Sequence, residues 1–376
     1  MLELSERART WASTMRGHES GAVAHAHREL GPVVGPIQPL HREAREERER
    51  QQLAPGATLA DGAGDRARPE TPDPYRTCFE RDRDRILHGA TAFRRLAGKT
   101  QVFIFPDDHQ RTRLTHALEV AQIAVAIART LGLNESLAEA IALGHDCGHG
   151  PGGHASEDAF GPYLVEGFDH AVWGADVVLS PLNLCRQTLD GIRNHSWSRP
   201  APSTPEGEVV SWADRIAYVC HDFEDAVSAG VLGLDALPTE VEQRCGSDRS
   251  AWIRAFIAAV IEGTAAAGHV AMSAEMAETL AAFRALNYER IYLRPESLRQ
   301  GRAVVTVLQA LVEHFAAHPD RIPSPTSGPG SEPGPLVAAV TYVAGMTDRF
   351  ACVTAVQELD WNPADLPRGL DSRFSI

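Results

Sequence analysis

A chain of 376 residues with 43% apolar content can bury a sizeable core, as one large domain or two modest ones. Its formal charge of −14 excludes a protein that holds DNA or RNA by phosphate neutralisation alone, because such binders present a basic surface. Nucleic acid is therefore not indicated as a partner, and an anionic ligand must be held by local groups. The six cysteines, Cys78, Cys147, Cys185, Cys220, Cys245 and Cys352, contain no C-x-x-C pair, which indicates neither a zinc knuckle nor a disulfide framework and fits a reducing cytoplasm.

In chain order, the first ten residues mix charges of both signs and carry no apolar segment, so no signal peptide is expected. Residues 41 to 50 are almost wholly charged, and 54 to 74 are rich in Pro, Gly, Ala and Asp. Such a mix buries too little apolar surface to offset chain entropy, so residues 1–70 are expected to be disordered or loosely helical. A solvated helix over 41 to 53 is the alternative, since Glu and Arg are good helix formers. Residues 71–320 form the expected catalytic region, 321–336 a Pro/Gly-rich loop, and 337–376 a last helix and tail. Arg199 to Pro205 reads as a further exposed loop. There is no internal repeat.

Between the loops the period is helical. Leu114, Ala117, Leu118, Ala121, Ala124, Val125, Ala128 and Leu131 recur at three- and four-residue spacing, with Ile123 and Ile127 as a second stripe, which predicts a core helix. Glu119, Gln122 and Arg129 interrupt it, so no membrane span is expected. Asn134 is a good N-cap for a short helix that stops in the glycine-rich Gly148 to Gly153, placing His145 and Asp146 at a helix end. A helix from about Glu208 to Ala229 carries Asp214, Tyr218 and Asp222 on roughly one face. No run of alternating strand residues is evident, and the expected fold is all-α.

Eight histidines, His109, His116, His145, His149, His154, His170, His195 and His221, fall in under a third of the chain that reads mostly as buried helix. A single histidine on an apolar face is most simply a hydrogen-bonded core residue. Imidazole and carboxylate together, as in His116, His145, Asp146 and Asp214, suit a divalent metal with positions open to water and phosphate oxygen.

Taken with their neighbours, these residues carry a family resemblance. Arg81-Asp-Arg-Asp-Arg-Ile-Leu-His88, Phe93-Arg-Arg-Leu96, Lys99-Thr-Gln-Val-Phe103, Arg111-Thr-Arg-Leu-Thr-His116, Gly144 to His154, Ala213-Asp-Arg-Ile-Ala-Tyr218 and Tyr288-Glu-Arg-Ile-Tyr292 occur in order across roughly residues 75 to 300. The chain resembles the HD-domain phosphohydrolases, specifically their deoxyguanosinetriphosphate triphosphohydrolase-like branch. The resemblance implies a helical HD-domain bundle with additional C-terminal helices and a divalent ion (Mg, Mn, Co, Fe or Zn) on His116, His145, Asp146 and Asp214. It further implies a deoxynucleoside triphosphate substrate cut to deoxynucleoside and triphosphate, a homo-oligomer, and a nucleotide effector. Two other readings stand beside it: a phosphohydrolase releasing orthophosphate from nucleoside monophosphates, and a non-catalytic binder of nucleotides or single-stranded nucleic acid.

By resemblance, His154 and Glu157 are the catalytic pair, Glu157 reading otherwise as a helix cap, and a partly charged His149 lies near the phosphates. Gln101 and Asp222 match positions that hold the deoxyribose 3′-hydroxyl, and Tyr218 a ring against the sugar. Arg113 matches a position near the base or α-phosphate. Arg215 is read as reaching phosphate, and His170 as a phosphate contact or a structural residue; for Arg215 a surface cation and for Tyr218 a core aromatic are even alternatives. Of the 36 basic residues only Lys99 is lysine, read as a phosphate contact at the active site or a regulatory site, or as a survivor of composition bias. The chain departs from the family pattern at Cys147, where an aliphatic residue is usual, at Gly152, where an aromatic is frequent, and at Ala171, where Asn is common.

Overall fold

The computed structural model describes residues 5–15, 17–102, 111–323 and 334–367. His109, Phe103 and most of the 321–336 loop lie outside the described residues. Residues 1–40 form one unit, containing helix α1 (Glu6–Ser13) and a hairpin of two short antiparallel strands, β1 (His18–Ser20) and β2 (Val23–His25). Three-residue strands are too short to show an alternating pattern, which is why the hairpin is silent in the sequence.

Residues 41–376 form the second unit. Its helices are α2 (Arg42–Gln52), α3 (Cys78–Asp84), α4 (Thr91–Arg95), α5 (Arg113–Leu131), α6 (Glu135–Gly144), α7 (Ala155–Phe160), α8 (His170–Trp173) and α9 (Arg186–Asn194). They continue as α10 (Pro205–Ser228), α11 (Thr239–Cys245), α12 (Arg249–Ala267), α13 (Ala274–Asn287), α14 (Pro295–Ala317), α15 (Pro335–Ala344) and α16 (Asp348–Leu359). The all-α reading holds.

Local chemistry places the three helices that matter most. Thr112 caps α5 by accepting from Thr115 N, and Gly132 ends it in the left-handed conformation (φ 68°). Asn134 caps α6 by accepting from Leu137 N at 3.2 Å. Pro205 starts α10 at its first turn, behind the Thr204 cap. Helix α5 is long and apolar enough to cross a membrane, but its apolar faces are filled by α6, α10 and α12. Ile123, Ile127, Leu137, Ile141, Val210, Ala213 and Phe223 form the core among them. A second core joins Phe160 and Phe168 to α14, α15 and α16 through Val304, Leu308, Leu311 and Val340.

Residues 41–70 differ from the expectation of a loose segment. The expected solvated helix is α2, yet Glu46 on it is buried and paired with Arg42 at 2.6 Å. Beyond it, Glu206 of α10 accepts from Thr58 N, Thr58 Oγ1 and Asn134 N. Arg66 reaches into the core, where Asp82 accepts from Arg66 Nη1 at 2.5 Å, Cys185 N at 2.8 Å and Thr188 Oγ1 at 2.7 Å. The composition of 54 to 74 is poor in apolar groups, but buried ion pairs and backbone bonds supply the anchoring.

The Arg66 and Asp82 side chains are 1% and 0% exposed, so removing one leaves the other charge dry and unpaired. Asp82→Ala is expected to destabilise the chain by about 3–5 kcal/mol, read as a lower denaturant midpoint in equilibrium unfolding.

Candidate metal centre and active-site cavity

The first turn of α5, the ends of α6 and α9, and the middle of α10 meet at one point. His116 lies in the first turns of α5, His145 is the C-cap of α6, and Asp214 projects from α10. His116 Nε2 is 2.9 Å from Asp214 Oδ1, and His145 Nε2 is 3.7 Å from that same oxygen and 3.5 Å from Asp146 Oδ1. The four expected ligands are thus brought together.

Hydrogen bonding sets the tautomer of His145. Its Nδ1 lies 2.6 Å from Ala142 O, and because a carbonyl only accepts, the proton is on Nδ1 and the Nε2 lone pair is free. That Nε2 is buried and has no hydrogen-bond partner, an arrangement that costs free energy unless a cation takes the lone pair. His195, the C-cap of α9, repeats the device with Nδ1 2.8 Å from Ile192 O. The groups His116–His145–Asp214 and His145–Asp146–His195 each converge closely enough to hold a metal ion, so the donor set fits a divalent ion. His195 stood out in the sequence only as one of eight histidines. The signal that could have found it is its setting after Gly191-Ile-Arg-Asn, a histidine closing a helix as His145 does.

The electrostatics keep the two carboxyl ligands ionised. Burial by itself raises both carboxyls, but the hydrogen bond with His116 and the imidazoles around it hold Asp214 below the usual range. The surrounding imidazoles and the Arg113 guanidinium hold Asp146 well below it. Arg113 Nη1 donates to Asp146 Oδ2 at 2.7 Å and orients it. Burial lowers His116, yet the hydrogen bond to Asp214 outweighs it and leaves the imidazole pKa raised, holding a proton that a bound cation would displace.

A second cluster adjoins the first. His149, His154, Glu157 and His170 converge closely enough to hold an ion themselves. His154 Nδ1 is 3.4 Å from Glu157 Oε2, so the expected pair forms, with His154 largely exposed. Glu157 is bound more closely to His170, whose Nδ1 is 2.6 Å from Oε1 and whose backbone N donates to it at 3.1 Å. Despite burial, His154 and His170 hold the Glu157 carboxyl far below its ordinary range, so it is a carboxylate. The expected partly charged His149 is not supported. Burial first, then the charges of Arg113 and His170, push its pKa well down, and the ring is a neutral imidazole stacked on His170 with centroids 3.7 Å apart.

Both clusters open on a cavity of about 520 Å³ that is also lined by Gln101, Arg113, Arg215, Tyr218 and Asp222. Arg113 Nε and Nη2, Gln101 Oε1 and Asp222 Oδ1 are buried without partners. Asp222 Oδ2 accepts from Tyr292 OH at 2.5 Å, and Arg284 Nε donates to Tyr218 OH at 2.8 Å. The Arg215 guanidinium stacks on Trp197, 3.4 Å from the ring centroid, so it is not a plain surface cation. Tyr292, Arg284 and Trp197 went unassigned in the sequence, although Tyr292 closes one of the resembling segments. Lys99 corrects the other way. It is 2% exposed, does not line the cavity, and donates from Nζ to the backbone oxygens of His149 and Ala344, so it offers no phosphate contact there.

The departures also resolve. Cys147 and Ala171 are buried core residues. Gly152 has φ +73°, and a Cβ there would lie 2.5 Å from Val304 Cγ1, so this backbone admits no aromatic side chain. Gly153, at φ +61°, would put a Cβ 2.4 Å from Arg113 Nη2.

The HD domain matches residues 113–219, which span both clusters, and the phosphohydrolase-associated domain matches residues 270–357. The deoxyguanosinetriphosphate triphosphohydrolase-like protein of Caldanaerobacter subterraneus is 42% identical over 317 residues, covering 82% of this chain and 93% of its own length. The protein of the same description from Clostridium perfringens strain 13 is 38% identical, with 82% and 94% covered, and that from Desulfatibacillum aliphaticivorans is 37% identical, with 82% and 95% covered. With the donor set of an HD site in place and likeness of this extent, the chain belongs to the deoxyguanosinetriphosphate triphosphohydrolase-like family of HD-domain phosphohydrolases.

Proposed function

We propose that the protein hydrolyses a deoxynucleoside triphosphate at the α-phosphorus, releasing the deoxynucleoside and intact triphosphate, with a divalent ion on His116, His145, Asp146 and Asp214. The observation that carries this reading is one cavity combining a cation-ready donor set, buried unpartnered Arg113 donors, and two buried unpartnered acceptors, Gln101 Oε1 and Asp222 Oδ1. A bound ion supplies Lewis-acid polarisation and a nucleophile at neutral pH.

The chain's own residues do the rest. Arg113 is tethered to Asp146 through Nη1 and directs Nε and Nη2 at an α-phosphate oxygen, where its fork neutralises developing charge. Glu157 orients His154 through Nδ1, leaving Nε2 to deliver a proton to the departing 5′-oxygen. His149, as a neutral imidazole, donates one N–H to a phosphate oxygen. Arg215, held flat by Trp197, and His170 add positive charge for the remaining phosphates. A sugar 3′-hydroxyl satisfies one orphaned acceptor by donating to Asp222 Oδ1 and accepts in turn from the Gln101 side-chain N–H, and the Tyr218 ring crowds a 2′-hydroxyl.

With a divalent metal and each of the four dNTPs, chromatography by charge is expected to show triphosphate as the first product; orthophosphate or diphosphate first, or orthophosphate from dAMP or dGMP, overturns the proposal. His116→Ala and Asp214→Ala are each expected to lose bound metal in elemental analysis and to lower kcat/KM by about 100-fold or more. Burial pushes the Asp222 carboxyl up to about 7, so it is protonated below that pH and an acceptor above it. KM is therefore expected to fall as pH rises through about 7, and Asp222→Asn, fixed in the uncharged form, is expected to abolish that fall in steady-state kinetics.

A further inference from the structure

The lysine excluded from the cavity has another position to explain. Lys99 Nζ sits between two backbone carbonyls, that of His149 in the segment linking Asp146 to His154, and that of Ala344 at the end of α15, 3.1 Å away. One residue on, Thr100 N donates to Asp348 Oδ2 at 3.0 Å, and Asp348, the first residue of α16, accepts through Oδ1 from Gly152 N at 2.9 Å. Two adjacent residues of the Lys99–Thr100 strand-like segment, two points of the C-terminal helices, and two points of the glycine loop thus close one ring of contacts. A compact ammonium satisfies two carbonyls in a 2%-exposed position, in a chain that uses the larger forked guanidinium at every other basic site.

The loop being held depends on contacts from outside itself. Gly152 is packed against Val304 of α14, and Gly153 against the Arg113 guanidinium, both with positive φ. A loop in the left-handed region is not kept in place by its own local preferences, since glycine visits many conformations. His149 lies within it and His154 follows it, and their imidazoles line the cavity.

Resting on the proposed function, we infer that Lys99 and Asp348 are positioning residues: a buried clasp through which the phosphohydrolase-associated helices α15 and α16 set the Gly148–Gly153 loop and so the placement of His149 and His154. Neither residue touches the reacting atoms.

The test compares Lys99→Met and Asp348→Ala with Arg95→Ala, in the full-length, metal-loaded protein. Arg95 Nη1 donates to Gly345 O at 2.8 Å, so its loss loosens the same end of α15 without touching the glycine loop. The clasp variants are expected to speed amide hydrogen–deuterium exchange over residues 148–153, and to lower kcat on the order of 100-fold with KM and metal content nearly unchanged. Arg95→Ala is expected to match the wild type in both readouts. Exchange over 148–153 at the wild-type rate in both clasp variants, or Arg95→Ala giving the same losses, overturns the inference. Should Asp348→Ala fail to fold, Asp348→Asn keeps the side-chain shape and one acceptor oxygen and is expected to give the same effects at smaller size. If the wild type releases no triphosphate, the functional reading fails, while the exchange comparison still decides whether the clasp holds the loop.

Discussion

Two carboxylates, the buried Asp146 and the mostly covered Asp214, stand among imidazoles with little water to solvate them, and much of the molecule is arranged to make that tolerable. A dry carboxylate is costly unless it is paired and hydrogen-bonded. Arg113 takes one oxygen of Asp146, His116 takes one of Asp214, and the Nε2 of His145 faces both with its proton held away on Nδ1. Arg113 and His116 come from α5, His145 from the end of α6 and Asp214 from α10, because no single helix can surround a point. The crossing of α5, α6 and α10 is thus tied to the charge arrangement it encloses.

The same economy of helix ends recurs around the site. His145 and His195 each cap a helix and spend one ring nitrogen on the carbonyl three residues back, so helix termination and imidazole orientation are one feature. Glu157 plays a comparable double part, accepting the first backbone N–H of α8 while holding the rings of His154 and His170. Such shared bonds leave few independent adjustments. They also explain why the loop between the clusters is glycine at the two positions where side chains would strike Val304 and Arg113.

The N-terminal portion of the main body shows a different route to order. Apolar content between residues 54 and 74 is too low for a hydrophobic anchor, yet Arg66, Asp82, Thr58 and Glu206 lock this segment to α3, α9 and α10 through buried polar contacts. Composition measures how much apolar surface a segment can bury. It is blind to whether a partner of opposite charge waits in the core.

The same distinction, between effects that act over a few residues and effects that need distant partners, runs through the whole chain. Helix periods, the Thr112 and Asn134 caps, and the ligand residues His116, His145, Asp146 and Asp214 were legible, because caps and periodicity act over a few residues and ligand types are restricted by chemistry. The single lysine was visible as an oddity, but its job was not, since Ala344 and Asp348 lie some 245 and more positions away and meet it only through folding. His195, Tyr292 and Trp197 were hidden for the same reason. The neutral state of His149 likewise depends on burial and on Arg113 and His170 beside it, and no spacing along a chain encodes the solvent exposure of a ring.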